Sequence, residues 1–312
     1  MTWFGTSIVW STTWRMMYKN NKLSNERRIE NKPRRIINQL PVNKKLTKLI
    51  GLLSVLLINQ QIATAQSITA ILGAFDKEVK LLQDSLQNRQ EVRFRGLTFM
   101  TGQLNGQNVV VAETGIGKAN AAMTTALVIE RFEPKQVIFT GIAGAIREDL
   151  QPGDMVIAER TTYHDYFTVR SDLQPSRQTR NPISKQLNPA DFQGDTQLIA
   201  KAQKAAQNIT FLKMCEECPA PKVETGLVVT GDQFISSKKK VKQLRNDFNA
   251  AATEMEGATV AQVCYQLQVP CLVIRSMSDK ADKHARKTML NFTTVAATNS
   301  ANLVRGMLEG MR

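Results

Sequence analysis

Histidine and cysteine are scarce in this chain of 312 residues, which contains two histidines and four cysteines. Neither His164 nor His284 has a metal-ligand neighbour, and the C-x-x-C pair at 215–218 has no second pair at zinc spacing. The sequence therefore predicts no metal site and implies no other cofactor. In an oxidising compartment, the 215–218 pair is expected to form a local surface disulfide. Cys264 and Cys271 lie in apolar surroundings and are expected in the core.

Long apolar runs are also missing, and none reaches the roughly 18 residues that a membrane-spanning helix needs. As a helix, the run at 49–58 spans about 15 Å, half of a bilayer core, so a stable membrane anchor is not expected. Lys44, Lys45 and Lys48 precede this run, and a small-residue triplet follows it at 63–65. That order is typical of a secretory signal peptide.

The N-terminal segment is therefore predicted to be a targeting signal. We assign residues 1–65 to an N-terminal extension, with the apolar region at 49–58 and cleavage near 65/66, and residues 66–312 to the mature domain. The expected location is outside the cytoplasm, either periplasmic or secreted. The residues before Lys44 are basic and poor in acids, which is also typical of an organellar transit peptide. An organelle is therefore the alternative location.

Positive charge is concentrated at the N-terminus. The chain has a formal net charge of +14, but residues 1–65 hold eleven basic and two acidic side chains. The rest carries a net charge of only about +5, whereas a nucleic-acid groove has to persist in the folded part. With 42% hydrophobic and 6% aromatic residues, the composition is that of a soluble globular protein. A nucleic-acid partner is therefore not expected.

Strand and helix patterns alternate along the rest of the chain. Short apolar, β-branched runs predict strands at 68–73, 93–102, 108–112, 136–140, 155–158, 226–230 and 271–275. Apolar residues at helical spacing predict helices at 76–86, 118–131, 195–207, 257–267 and 292–308. This alternation, without an internal repeat or a Pro- or Gly-rich linker, predicts a single α/β domain. Its central sheet is expected to be mixed, largely parallel and flanked by helices.

Small or charged residues follow the predicted strands. In α/β sheets, ligands bind where strands end and loops begin. The loops in question are 73–78, 114–118, 140–144, 231–235, 254–256 and 276–279. Taken singly, each is more often a tight strand–helix turn than a binding loop. No single loop therefore identifies a function.

The order of these blocks resembles that of the 5′-methylthioadenosine/S-adenosylhomocysteine nucleosidases, within the nucleoside phosphorylase superfamily. The sharpest blocks are Leu-Gly-Ala-Phe-Asp-Lys-Glu-Val at 72–79, Thr-Gly-Ile-Gly-Lys at 114–118, Tyr-His-Asp at 163–165, Thr-Gly-Asp-Gln-Phe-Ile at 230–235, Glu-Met-Glu at 254–256 and Arg-Ser-Met-Ser-Asp-Lys-Ala-Asp at 275–282. The resemblance extends over residues 68–310, essentially the whole predicted mature chain. It implies a nucleoside phosphorylase-like fold and an enzyme that hydrolyses the bond between adenine and ribose.

Three carboxylates from separate loops suit this chemistry. Cleavage of an N-glycosidic bond needs a proton for the departing purine, negative charge near the ribosyl cation and a base for the attacking water. By resemblance, Asp279 protonates the purine at N7, and burial is expected to raise the pKa of its carboxyl group. Glu256 binds the ribose hydroxyls, and Glu78 activates the water, with Arg275 close to it. By residue type alone, the acids also fit helix N-termini, and Arg275 fits a structural ion pair.

The resemblance also implies a set of substrate-binding residues. Phe234 is expected to stack on the adenine, and the backbone of Ile235 to read its edge. Met255 is expected under the ribose, with Glu254 near the sugar, and Ile116 of the glycine loop completes the set. The substrate implied by the resemblance is 5′-methylthioadenosine or S-adenosylhomocysteine.

Two alternatives concern the reaction. Phosphorylases of the superfamily bind phosphate through arginines, one of them in the first glycine loop, whereas that loop carries Glu78 here. A carboxylate repels phosphate and suits water activation, so hydrolysis is favoured over phosphorolysis. A nucleoside-binding protein without catalysis is the other alternative, although such a protein has no need for all three carboxylates.

Departures from the family pattern concern the 5′ substituent and the dimer. The family carries an aromatic-rich tract after Tyr-His-Asp, contributed across a homodimer, where this chain has Tyr166, Phe167 and a polar stretch. Phe75 replaces a methionine, Met289 an aromatic residue and Ile142 a serine. A homodimer is expected from the resemblance. The 5′ group stays open, with adenosine or another purine nucleoside as the alternative substrate.

Overall fold

The computed structural model describes residues 67–170 and 173–311, and for 168–170 and 173–175 the description is limited to the backbone. The predicted N-terminal extension, its signal peptide and the cleavage point near 65/66 lie outside these residues. Within the described ranges, no helix is both long and apolar enough to cross a membrane.

The described chain alternates strands with helices, as the sequence predicts. The strands are β1 (Thr69–Gly73), β2 (Gln87–Phe94), β3 (Leu97–Leu104), β4 (Gln107–Glu113), β5 (Gln136–Ala145), β6 (Met155–Tyr163), β7 (Thr168–Arg170), β8 (Leu173–Ser176), β9 (Asp191–Gln193), β10 (Val223–Thr230), β11 (Ala252–Glu254) and β12 (Cys271–Asp279). The helices are α1 (Asp76–Asp84), α2 (Lys118–Phe132), α3 (Thr196–Ala206), α4 (Lys238–Phe248), α5 (Gly257–Leu267) and α6 (Ala285–Glu309). The bounds of α5 agree with the prediction at both ends.

A mixed sheet joins the strands, except for the separate pair β7–β8. Its order is β11-β10-β6-β12-β5-β1-β4-β3-β2, and β9 pairs with β6. Strand β11 runs parallel to β10 and antiparallel to β5, which closes the sheet at that end. The neighbours β12, β5, β1 and β4 are parallel, so their carboxyl ends meet at one edge. The predicted α/β class, with a mixed sheet flanked by helices, is confirmed.

Helices cover both faces of this sheet, which explains the continuous apolar runs of its central strands. Every residue of β1 and of β12 is buried. On one face, Phe139 of β5 belongs to the core shared with α2 and α5, and on the other Ile138 belongs to the core shared with α1, α3 and α6. Each such side chain contributes about 1.5–3 kcal/mol on burial, and together they fix the strand ends that carry the site.

The cysteines lie as predicted. Cys264 of α5 and Cys271 of β12 are free and buried in the core. A disulfide joins Cys215 to Cys218 in the segment before β10.

Some predicted boundaries are wrong. The predicted strand at 93–102 is two strands, β2 and β3, separated by a turn at Arg95 and Gly96. Both turn residues have positive φ, 52° and 84°, a conformation that arginine seldom adopts, so the sequence signal for this turn is weak. The predicted loops at 140–144 and 276–279 are instead the ends of β5 and β12. These ends pair with each other, and the pairing places Asp279 on a strand opposite Gly144.

Candidate active site

A cavity of about 640 Å³ opens at the edge where the parallel strands end. Its wall is built from residues at or just beyond the carboxyl ends of β1, β4, β5, β11 and β12, together with α6. Seven of the nine predicted site residues line it: Glu78, Ile116, Phe234, Glu254, Met255, Glu256 and Asp279. Five of the six sequence blocks, which are far apart in the chain, therefore contribute to one site, whereas the Tyr-His-Asp block at 163–165 does not line it.

Glu78 lies in the first turn of α1 with its carboxylate directed back at the loop after β1 and at the end of β5. The backbone N–H of Ala74 donates to Oε2 at 2.5 Å, and that of Ile142 donates to Oε1 at 2.8 Å. Burial raises the pKa of Glu78, while the positive charge of Arg275 and these N–H groups act in the opposite direction. The side chain is 2% exposed, so it is not a solvated acid placed only to favour the helix dipole.

Asp279 ends β12 and is held from both sides. The Ser278 hydroxyl donates to Oδ2 at 2.7 Å, and the N–H of Ala281 donates to Oδ1 at 2.7 Å. Burial raises the pKa of the Asp279 carboxyl group, and these two hydrogen bonds offset part of that rise. The geometry thus provides a fixed carboxyl group, lining the cavity, with an increased tendency to hold a proton.

Arg275 lies behind the cavity wall and is completely buried on β12. Its Nη2 donates to Glu254 Oε2 at 2.5 Å and lies 3.9 Å from Glu256 Oε2, and its guanidinium group is 4.1 Å from the centre of the Phe139 ring. Among the described residues, no group accepts a hydrogen bond from its Nε or Nη1. Arg275 is therefore a structural ion-pair partner that also has free donors, although it does not itself line the cavity.

The space next to Gly141 brings Arg275 and Glu78 together. A Cβ atom on Gly141 would collide with Glu78 Oε1 and would lie 2.5 Å from Arg275 Nη1. The register of β12 against β5 pairs Arg275 with Gly141, so this approach is set by the sheet itself. A glycine is needed here to leave room for both charged groups.

Glu256 is placed at the start of α5, where it occupies the N-cap position. The N–H of Gly117, in the loop before α2, donates to its Oε1 at 2.7 Å. Burial, and next the negative charge of Glu254, raise the pKa of Glu256 to about 8. Two carboxylates with Met255 between them thus occupy one side of the cavity.

The predicted adenine-binding residues share a small recess next to the main cavity. Phe234, Ile235 and Asp279 all line this space of about 40 Å³, as does Met255, which is predicted to lie under the ribose. Ile235 is buried, whereas Phe234 remains 49% exposed. An aromatic face, a backbone edge and a protonatable carboxyl group are therefore adjacent, which suits a purine base.

Apolar side chains also line the cavity, two of them largely exposed. Phe75 and Met289 line it, together with Ile116 and Leu290, which are 55% and 66% exposed. Ile142, which replaces the family serine, places its backbone N–H on Glu78. The loss of a hydroxyl group at this position thus leaves the backbone contact intact.

Comparison with known proteins agrees with this geometry. A sequence profile of the phosphorylase superfamily matches residues 68–309. The 5′-methylthioadenosine/S-adenosylhomocysteine nucleosidase of Psychromonas ingrahamii is 38% identical over 242 residues, which cover 77% of this chain and 98% of the relative. This chain belongs to that nucleosidase family.

Solved structures extend the match to the nucleosidase fold. The Neisseria meningitidis nucleosidase in complex with methylthio-immucillin-A is 37% identical, with a TM-score of 0.69, and the match covers 78% of this chain and 99% of that chain. A futalosine hydrolase of Helicobacter pylori is 28% identical, also with a TM-score of 0.69, and the match covers 80% of this chain and 100% of that chain. The resemblance predicted from the six sequence blocks is therefore confirmed, as are the fold and the nucleosidase class of enzyme.

The nucleosidase cavity also contains residues that sequence reasoning missed. Glu113 ends β4 directly before the glycine loop, so the rule that ligands meet strand ends could have found it. Leu290 and Thr293 lie on α6, which begins at Ala285, seven residues before the predicted start at 292. Nothing in the sequence pattern marks their contact with the site. Among the described residues, no group of three or more His, Cys, Asp or Glu side chains is arranged to hold a metal ion.

Proposed function

We propose that this nucleosidase hydrolyses the N-glycosidic bond of 5′-methylthioadenosine or S-adenosylhomocysteine, releasing adenine and a 5-substituted ribose. One observation carries the proposal: Glu78, Glu256 and Asp279 come from three separate elements, line one cavity, and all have pKa values raised by burial. The names of the similar nucleosidases support this choice of substrate.

In the proposed mechanism, Asp279 is the general acid. Its raised pKa keeps a proton available at the recess that Phe234 and Ile235 line, where the purine N7 is placed. Protonation makes adenine a better leaving group, because the base then takes the bond electrons and departs as neutral adenine rather than as an anion. Asn at this position retains the shape of the side chain but has no carboxyl proton to give.

Glu256 and Glu78 act on the sugar and on the water. In its ionised form, Glu256 accepts hydrogen bonds from the ribose hydroxyls and places negative charge near the developing oxocarbenium ion, with Met255 under the ring. Glu78 accepts a proton from the attacking water. The free Arg275 Nη1, next to Glu78 Oε1 at Gly141, supports a water position between the two side chains.

Water, and not phosphate, is the proposed nucleophile. The buried Glu78 occupies the position where a phosphorylase of the superfamily needs to bind an anion. Arg275, the buried cation next to it, is already paired with Glu254. A phosphate in this space would face the carboxylates of Glu78 and Glu256 at short range, which is unfavourable in a poorly hydrated site.

The test measures adenine release by the purified protein. 5′-Methylthioadenosine, S-adenosylhomocysteine, adenosine, inosine and futalosine are compared with and without phosphate. We expect phosphate-independent release, fastest from one of the two 5′-thio nucleosides, because the apolar side chains of Phe75, Met289 and Leu290 line the cavity. Faster cleavage of inosine or futalosine would assign another purine nucleoside, and a strict need for phosphate would assign a phosphorylase. Saturable binding without any release would leave a nucleoside-binding protein.

We also propose that the protein acts as a homodimer. The side chains of Ile116, Phe234 and Leu290 on the cavity wall are apolar and exposed, as are those of Tyr166 and Phe167 after β6, and these exposed apolar side chains support a second copy as the partner. Sedimentation analysis of the purified protein is the test, and a monomer at micromolar concentration that retains full activity would refute the proposal.

Export of the mature domain remains a further proposal. The order of basic, apolar and small residues before position 66 supports it, as does the Cys215–Cys218 disulfide, because disulfides persist in oxidising compartments. Cell fractionation with mass analysis of the mature N-terminus tests it. A full-length chain recovered from the cytoplasm would overturn it, and recovery from an organelle would favour the transit peptide.

A further inference from the structure

The carboxylate of Glu254 is occupied by four hydrogen-bond donors. Its Oε2 accepts from the N–H of Glu256 at 3.0 Å, from the N–H of Gly257 at 2.7 Å and from Arg275 Nη2 at 2.5 Å. Its Oε1 accepts from the hydroxyl of Thr230. A carboxylate has about four acceptor positions. Little capacity is therefore left for a ribose hydroxyl, although the side chain borders the cavity.

Two of these bonds satisfy backbone N–H groups at the start of α5. The first N–H groups of a helix have no partner within it, and the N-cap side chain commonly satisfies them. Here the N-cap residue is Glu256, whose side chain makes no capping bond and instead accepts from Gly117. Glu254 accepts from the first two N–H groups in its place, and the Thr230 hydroxyl accepts from the third, that of Ala258, at 2.8 Å. The side chain of Glu256 is thereby free to face the cavity.

Arg275, another of the four donors, connects Glu254 to the side of the site where Glu78 lies. Arg275 is fully buried and contacts Glu254 through Nη2, whereas its Nη1 stays next to Glu78 with no acceptor among the described residues. The planar guanidinium group turns as one unit, so anchoring one nitrogen fixes the direction of the other. Glu254 thus sets the orientation of the cation at the water-activating side.

We propose that Glu254 is a positioning residue, which caps α5 and anchors Arg275 and thereby holds Glu256 and the surroundings of Glu78 in their reactive arrangement. It is not a sugar contact. This inference rests on the proposed function, because it assigns Glu254 a role in the same reaction. Thr230, which does not line the cavity, shares the capping role.

The first test is a double-mutant cycle between Glu254→Gln and Glu256→Gln, read as kcat/KM for adenine release. Gln keeps the shape of Glu254 but loses its charge and one acceptor oxygen. We expect the single changes to reduce the rate about 10²-fold and 10³-fold, and the double variant to lie within about threefold of Glu256→Gln alone, because groups that act as a unit are not additive. Additive losses would show that Glu254 acts independently of Glu256, as a sugar contact does, and would overturn the proposal.

A pH profile separates positioning from simple loss of folding. The negative charge of Glu254 raises the pKa of Glu256, so the limb of kcat/KM that reports Glu256 is expected to move to lower pH in Glu254→Gln. A merely structural defect lowers the whole profile without moving it, and that result would contradict the proposal.

Thr230→Val tests the same idea without touching the cavity wall. This variant removes the hydroxyl group that bonds Glu254 and Ala258, and we expect about a 10-fold loss of kcat/KM. Thr161→Val is the matched control, because Thr161 is equally buried on the neighbouring strand β6 and its hydroxyl has no partner among the described residues. Equal activities of the two valine variants would argue against the proposal.

A binding measurement keeps the inference separate from the proposed function. Formycin A, an adenosine analogue whose C-glycosidic bond is not hydrolysed, is titrated by calorimetry into the wild-type protein, the single variants and the double variant. If the wild-type protein cleaves no nucleoside, the proposed function fails, but the cycle is still read from these affinities. Non-additive losses of affinity support positioning, and additive losses refute it.

Discussion

Two clusters of carboxylates and cations in this nucleosidase use the same chemical groups but shift carboxyl pKa values in opposite directions. The active-site cluster, defined as Glu78, Glu254, Glu256, Asp279 and Arg275, has four acids for one cation and is buried. In it, the pKa of Glu256 rises to about 8, first because of burial and then because of Glu254.

The surface cluster, defined as Arg147, Asp149, Lys222 and Glu224, has two acids and two cations in water. Arg147 and Lys222 each donate to Asp149 at 2.7 Å. Their hydrogen bonds lower the pKa of Asp149 to about 2. Arg147 also lies 3.5 Å from Glu224, so the charges are matched by sign and number.

The difference shows when desolvation, and when charge pairing, decides the pKa of a carboxyl group. In the surface cluster, water solvates the charges and pairing favours the ionised acids, although each exposed pair contributes little to stability. In the active-site cluster, desolvation is the largest influence on Glu78, Glu256 and Asp279, so these three acids retain protons to higher pH. Negative charge is unfavourable there, and a site for acid–base chemistry near neutral pH uses that property.

Asp279→Asn is expected to have the largest effect. Loss of the Asp279 carboxyl proton in the purine recess should reduce kcat for adenine release by about 10³-fold or more, with little change in the melting temperature. Asp282→Asn is the control, because that carboxylate accepts from the N–H of His284 and lies outside the cavity wall. Equal activity of the two variants would remove Asp279 from the acid role.

Gly141→Ala should break the active-site cluster without changing any charged residue. The new Cβ would collide with Glu78 Oε1 and lie 2.5 Å from Arg275 Nη1, so one of these groups has to move. A displacement of about 1 Å in a catalytic group reduces rates on the order of 10²-fold, which is the expected loss of kcat. Gly310→Ala is the control and should leave kcat unchanged, because the nearest heavy atom to the new Cβ lies 3.6 Å away. Full activity of Gly141→Ala would mean that the space next to Gly141 has no role.

This comparison also shows what the sequence could and could not predict. Glu78, Glu256 and Asp279 follow predicted strands or begin predicted helices, so the strand-end rule and the family blocks both lead to them. The burial of Arg275 among the carboxylates depends on the register that pairs it with Gly141, a contact between residues 134 positions apart. Local periodicity contains no information on such a register. The shift in acidity of Glu256 depends on the same long-range packing.

The pH dependence of stability should differ between the two clusters. Glu256 has an ordinary value of 4.5 and a folded pKa of about 8, so its contribution to stability is complete below pH 4.5 and is lost as the pH rises to about 8. We expect Glu256→Gln to flatten the fall in unfolding free energy between pH 5 and pH 8 by on the order of 3 kcal/mol. Urea denaturation across this range is the measurement. An unchanged slope would mean that Glu256 is ionised in the folded protein at neutral pH.

The smallest effect is expected in the surface cluster. Asp149 has a folded pKa of about 2 against an ordinary value of 3.8, so its contribution to stability is present above pH 3.8 and is lost as the pH falls towards 2. Because the pair is exposed and screened by water, Asp149→Asn should reduce the unfolding free energy at pH 7 by only about 0.5 kcal/mol, and by less in high salt. Adenine release should be unchanged, since this residue lies outside the cavity wall. A loss that is large and independent of salt would mean that exposure does not separate the two clusters, and that the balance of acids and cations alone sets the behaviour of each.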